Sequence, residues 1–187
     1  MTHVAEIARV MNANEVGYEE LGPEKNARAI WTMIAEPGDH DTGELIAKFG
    51  AAEAFRAAAS HNMELITPED PHWPTGFSDL GNNAPYAIWA RGNSAVLNSA
   101  KYVALVGARA ATGYGEHVSM ELTAGLVERG HGIVTGAGYG IEGMAIRSAL
   151  ASHGNVVVIL AGGVDRFYPA GHDALLQRVV EAGVVIS

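Results

Sequence analysis

The stretch Tyr102-Val-Ala-Leu-Val-Gly-Ala-Arg-Ala-Ala-Thr-Gly-Tyr-Gly115 sets the reading of the fold. A short apolar run, Tyr102 to Val106, stops at Gly107, which predicts a strand buried on both faces. A loop of small residues follows. Val118 to Val127 then places Met120, Leu122, Leu126 and Val127 at helical spacing, and Gly130 closes that helix. The alternation continues downstream. Residues 132–135 predict a strand, and a Gly-rich loop at 136–140 leads into a helix through Met144, Ala145, Ala149 and Leu150. Residues 155–160 predict a third strand, 173–181 a helix and 183–186 a fourth strand. Strands and helices in strict alternation predict an α/β fold with a mostly parallel sheet and crossover helices.

Upstream the pattern changes. Helical periodicity at 23–35, 42–49 and 51–60, broken by Pro37-Gly38-Asp39 and Gly50, predicts a small helical N-terminal domain over 1–60, of the SAM or helix-hairpin kind. Residues 61–100 carry six of the chain's turn-forming prolines and glycines in close succession, from Pro68 to Pro85, and then Gly92. They read as a connector with short strands at Leu65-Ile66 and Tyr86–Trp89, belonging to a second domain over 61–187.

Composition excludes several classes of function. A hydrophobic fraction of 48% and a mean hydropathy of +0.08 exclude a disordered chain of 187 residues. The longest apolar run, Asn155 to Ala161, is far short of the ~20 residues a membrane-spanning helix needs. The absence of cysteine excludes disulfides, thiolate metal sites and thiol catalysis, and fits a cytoplasmic protein. The net charge of −9 opposes electrostatic attraction to nucleic acid, but it is unevenly spread: residues 1–100 carry −8 and residues 101–187 only −1. Any anion-binding surface therefore belongs to the second half.

That half offers three loops leaving strand carboxyl ends, at 107–115, 135–140 and 161–169, all rich in glycine and small residues. Glycine lets backbone N–H groups close around an anion, and the helix N-terminus that follows adds partial positive charge. Each loop alone reads equally well as an ordinary tight turn; three on one edge form a phosphate-binding rim. The string Gly138-Tyr-Gly-Ile-Glu-Gly143 matches the dinucleotide fingerprint only formally, because the next strand ends Leu160-Ala161-Gly162 without the acid that would hold a ribose. Arg109, Arg147 and Arg166 add three of this half's six positive charges. Arg109 is best placed for bidentate phosphate contact, and Arg147 reads equally as a surface residue. Phe167 and Tyr168 adjoin Arg166, the charge-plus-ring combination that holds single strands, although Phe167 could instead pack beneath its loop.

No catalytic constellation emerges. The eight histidines (3, 40, 61, 72, 117, 131, 153 and 172) contain no His-x-His or His-x-x-x-His pair, so no metal is expected. Glu142 could face the crevice or simply stabilise a helix N-terminus.

From about Met63 onward the chain resembles the DprA/Smf family of DNA-processing proteins. The resemblance rests on Leu65-Ile-Thr67, Asp70-Pro-His-Trp-Pro74, Ile88-Trp-Ala-Arg-Gly-Asn93, Val106-Gly-Ala-Arg109 and Thr112-Gly-Tyr-Gly115. It continues through Thr135-Gly136, Gly140-Ile-Glu142, Arg147-Ser-Ala-Leu150, Gly163–Pro169 and Gly183–Ser187. It implies an extended Rossmann fold that binds single-stranded DNA without sequence preference and helps load a RecA-type recombinase during natural transformation, with no cofactor and no covalent chemistry. Family members form homodimers whose interface lies largely in further strands and a winged helix past the strand at 184–186, and the expectation is that this chain lacks them, which counts against the family-type homodimer. On the combined reading, Gly107, Ala108, Arg109, Thr112, Gly113, Gly136, Ala137, Gly138, Gly140 and Arg166 meet DNA phosphates, and Tyr168 and Phe167 stack on bases. Ala108 stands where the family has serine, Glu142 where it has aspartate, and Ile146 where it has histidine. The competing expectation is a nucleotide-binding enzyme or sensor related to nucleoside-monophosphate phosphoribohydrolases, although their Pro-Gly-Gly-x-Gly-Thr loop does not occur here.

Overall fold

The computed structural model describes residues 22–34, 40–54 and 63–187. The chain divides into two compact units, Met1–His61 and Asn62–Ser187.

In the first unit, α1 (Gly22–Ile34) and α2 (His40–Phe49) precede a helical turn over 51–54. Gly50 between them has φ of +79°, a conformation open to glycine. The Glu24 carboxylate accepts the N–H groups of Ala51 at 2.6 Å and Ala52 at 3.0 Å, so a side chain of α1 satisfies the first free donors of the next turn. These two bonds hold the Glu24 carboxyl below the usual glutamate range. The indole N–H of Trp31 donates to the Ala51 carbonyl at 2.9 Å. The predicted helical positions 35 and 55–60 lie outside the described residues.

The second unit is built on one six-stranded sheet in the order β1-β2-β6-β5-β4-β3. Its strands are β1 (Met63–Ile66), β2 (Ile88–Gly92), β3 (Lys101–Ala104), β4 (His131–Thr135), β5 (Val156–Ile159) and β6 (Val184–Ile186). The last four run parallel and are joined by α3 (Gly113–Glu128), α4 (Ile141–Ala151) and α5 (Asp173–Ala182). Because each crossover steps to the adjacent strand in one direction, right-handed connections put all three helices on one face. The core agrees. Ile133, Val156, Val158 and Val185 pack with Ile146 and Leu150 of α4 and Leu176 and Val179 of α5. The alternate residues Val157, Val184 and Ile186 face the other way, against Ile66, Ile88, Val96 and Leu97, with Trp73 and Phe77 at the periphery. Each such aliphatic burial contributes about 1.5–3 kcal/mol.

Residues 63–100 are thus more than a connector. Their strands extend the sheet antiparallel, β2 against β6 and β1 against β2, and their remaining apolar residues cover the face that the helices leave bare.

Two expectations are corrected. The strand at 101–104 is not buried on both faces, because it is one of the two edge strands of the sheet; Val106 just beyond it is 71% exposed. Nor do Met120 and Leu122 face the core, being 45% and 51% exposed. The buried face of α3 consists of Ser119 and Thr123. Hydroxyls replace aliphatic side chains here because α3 and α4 lie close together: Ser119 Oγ donates to the Ile141 carbonyl at 3.0 Å and Ser148 Oγ to the Met120 carbonyl at 2.8 Å. Apolar periodicity carries no signal for a helix contact made by serines. No helix among the described residues is long and apolar enough to cross a membrane.

Candidate functional site

β3, β4 and β5 are neighbours in the sheet and all point the same way, so the loops leaving their carboxyl ends adjoin one another. Together they enclose a cleft of about 370 Å³ lined by Gly107, Arg109, Gly136, Ala137, Gly138, Tyr139, Glu142, residues 159–163, Arg166, Tyr168 and Pro169.

The first two loops are locked together by one main-chain and one side-chain hydrogen bond. The Ile141 N–H donates to the Ala108 carbonyl at 3.2 Å, and Thr135 Oγ1 donates to the Leu105 carbonyl at 2.5 Å. Gly140 sits at φ +69°, where a β-carbon would lie 2.3 Å from the Ala108 oxygen and 2.5 Å from that of Arg109. Only glycine fits that crossing. Gly107 is similarly confined, its missing β-carbon falling 2.8 Å from the Ile141 side chain.

The third loop is tied down at both ends. The Leu160 N–H donates to the Ile186 carbonyl at 2.8 Å, and the Gly163 N–H to Ser187 Oγ at 3.2 Å. At its far end buried His172 stands 2.9 Å from the Ala137 carbonyl; since a carbonyl only accepts, Nδ1 carries the proton. The Tyr139 ring meets the His172 ring edge-on at 4.7 Å, which links the second loop to the third.

Of the residues expected at the site, Gly107, Arg109, Gly136, Ala137, Gly138, Arg166 and Tyr168 line the cleft. Ala108 and Gly140 are not among its lining residues; they form the crossing of the two loops. Thr112 caps α3, its Oγ1 accepting the Gly115 N–H at 3.2 Å, and Gly113 is the first residue of that helix, with open space where its side chain would be. Arg147 is exposed on α4 and does not line the cleft. Phe167 is corrected outright: it is 7% exposed, packed in the helix-side core, and therefore does not offer its face to a base. Tyr168 is 68% exposed.

One carboxylate enters the cleft. Glu142 Oε2 accepts the Gly138 N–H at 2.8 Å, and β-carbons on Gly136 and Gly138 would fall 2.7 and 2.8 Å from it. The second loop therefore already holds an anion, one supplied by the protein. The charged side chains of the lining are thus Arg109 and Arg166 against Glu142. Tyr139, His172, Ser187 and Arg91 support the cleft through contacts 24 to 76 residues apart in sequence, beyond the reach of any local pattern. Among the described residues no group of three or more His, Asp or Glu side chains is arranged to hold a metal ion.

The profile of the family described as DNA recombination-mediator protein A matches residues 64–187. The chain is 44% identical over 148 residues to a DNA processing protein DprA of Mycobacterium tuberculosis, a match covering 73% of this chain and 38% of that relative. To the DNA processing protein DprA of Bacillus subtilis it is 25% identical over 134 residues, covering 72% and 44%. It thus spans about two fifths of the length of these relatives. Among solved structures, DNA processing protein A of Helicobacter pylori, described as having a unique single-stranded DNA binding mode, is similar with a TM-score of 0.56 at 25% identity. That match covers 68% of this chain and 56% of the other. The DprA of Streptococcus pneumoniae matches with a TM-score of 0.65 at 22% identity, covering 98% and 61%, a likeness of fold.

Proposed function

The chain belongs to the DNA recombination-mediator protein A family of DNA-processing proteins, and we propose that its cleft binds single-stranded DNA without sequence preference. The observation that carries this is the convergence of Arg109 from the first loop with Arg166 and Tyr168 from the third on one cleft. Two guanidinium groups serve successive phosphates, and an exposed ring offers a stacking surface indifferent to base identity. Gly107, Gly136 and Ala137 bring main chain close to the strand, while Ala108, Thr112, Gly113 and Gly140 act through loop geometry. The reading extends to a RecA-type recombinase as the partner that receives the DNA, to self-association, and to a binding rather than catalytic role for residues 62–187. The proposed organisation is a small helical domain over 1–60 preceding the DprA-like domain over 61–187.

A fluorescence-anisotropy titration with single- and double-stranded oligonucleotides at two salt concentrations tests it. Preferential single-strand binding that weakens with salt supports the reading; equal affinity for the duplex, or no binding at low salt, refutes it.

One observation favours a second reading. A carboxylate inside a cleft of about 370 Å³ suits a single nucleotide, whose donor groups Glu142 could accept. A thermal-shift screen separates the two: strong stabilisation by a mononucleotide and none by an oligonucleotide favours the nucleotide.

A further inference from the structure

Arg91 does not line the cleft, yet it contacts the loop that carries the cleft's Arg166 and Tyr168. It lies on β2 opposite Val185 of β6, on the face that holds the helix-side core. Its guanidinium stands over the Phe167 ring, 4.9 Å from the centroid, and Nη1 faces the Val164 carbonyl at 3.4 Å. Its Nε is buried without a hydrogen-bond partner. A buried donor left unpaired costs stability, and an aliphatic side chain would fill the space without that cost. Hydrogen bonding alone therefore does not account for arginine here. A flat cation does what an aliphatic chain cannot: laid on a ring face, it fixes the plane of that ring.

The loop beyond is arranged around this contact. Val164, Phe167 and Pro169 are buried while Arg166 and Tyr168 are exposed. Phe167 lies between Arg166 and Tyr168 in the chain, so anchoring its ring in the core fixes the backbone from which the two exposed side chains project.

We propose that Arg91 is a positioning residue of the cleft, clamping Phe167 and Val164 so that Arg166 and Tyr168 are presented to the bound strand. The proposal rests on reading the cleft as a single-strand site. Its test uses the full chain in two measurements: anisotropy titration with labelled oligothymidylate over a salt series, and amide hydrogen exchange without DNA. Arg91→Met weakens binding about three- to tenfold, leaves the slope of log affinity against log salt unchanged, and speeds exchange across 161–169 but not in β5. Arg166→Ala instead lowers that slope by about 0.7, the signature of a lost phosphate contact. Arg91→Lys, which keeps the charge and loses the flat stack, falls between wild type and Arg91→Met and carries the comparison if the latter fails to fold. A slope lowered as in Arg166→Ala would overturn the proposal by putting Arg91 itself on a phosphate; unchanged affinity and exchange would overturn it too. If the wild-type chain binds no oligonucleotide, the cleft reading fails, and hydrogen exchange alone decides whether Arg91 orders the loop.

Discussion

Glu142 Oε2 lies 2.8 Å from the Gly138 main-chain nitrogen and accepts a hydrogen bond from its N–H, so an acidic side chain occupies the turn that most resembles an anion nest. A phosphate approaching Gly138 meets this carboxylate first. Glu142→Gln keeps an acceptor for the Gly138 N–H and removes the charge, so single-strand affinity rises about two- to tenfold at low salt. Parallel anisotropy titrations check this; weaker binding by Glu142→Gln would mean that the carboxylate accepts from the ligand.

Gly140 is held at positive φ with two carbonyl oxygens where a side chain would begin. Gly140→Ala therefore destabilises residues 62–187 by about 1–3 kcal/mol, read as a lower urea midpoint. Gly113→Ala, with open space and no positive φ, leaves the midpoint within about 0.5 kcal/mol of wild type.

Phe167 and Tyr168 adjoin in sequence and separate in role. Tyr168→Ala weakens oligonucleotide binding by about 1–3 kcal/mol with little change in stability. Phe167→Ala costs about 3–5 kcal/mol of stability through the cavity it leaves. Thermal melts and titrations on both variants check the contrast; equal loss of stability would contradict it.

In the first unit, the bonds from Ala51 and Ala52 lower the Glu24 carboxyl below its ordinary range. A carboxylate whose folded value is depressed contributes stability above the unfolded value, and that contribution is lost as pH falls through the folded one. Helical ellipticity followed from pH 6 to pH 2 thus shows a larger acid-side loss in wild type than in Glu24→Gln, the variant being the less stable of the two at neutral pH.

The alternating pattern from Tyr102 onward made the parallel strands, their helices and the three glycine loops legible, because each is encoded over a few neighbouring residues. The sheet order is not so encoded. That β3 is an edge strand, and that Ile88–Gly92 pairs with β6, depends on which strands meet, and so the exposure of Val106 and the sheet role of residues 63–92 lay outside periodicity. Within the cleft, Arg109, Arg166 and Tyr168 were legible as a charge-and-ring pattern beside glycine. The inward turn of Phe167 was open in sequence and is resolved by Arg91, 76 positions upstream. The hold of His172 on Ala137 has no sequence signature, since its partner is a carbonyl that any residue supplies.

If Arg109 and Arg166 hold successive phosphates of a single strand, the salt dependence of oligothymidylate affinity carries the signature of both contacts. The wild-type chain binds with a linear fall of log affinity against log salt, and Arg109→Ala lowers that slope by about 0.7 while weakening binding at every salt concentration. An Arg109→Ala variant with wild-type slope and affinity would contradict the account.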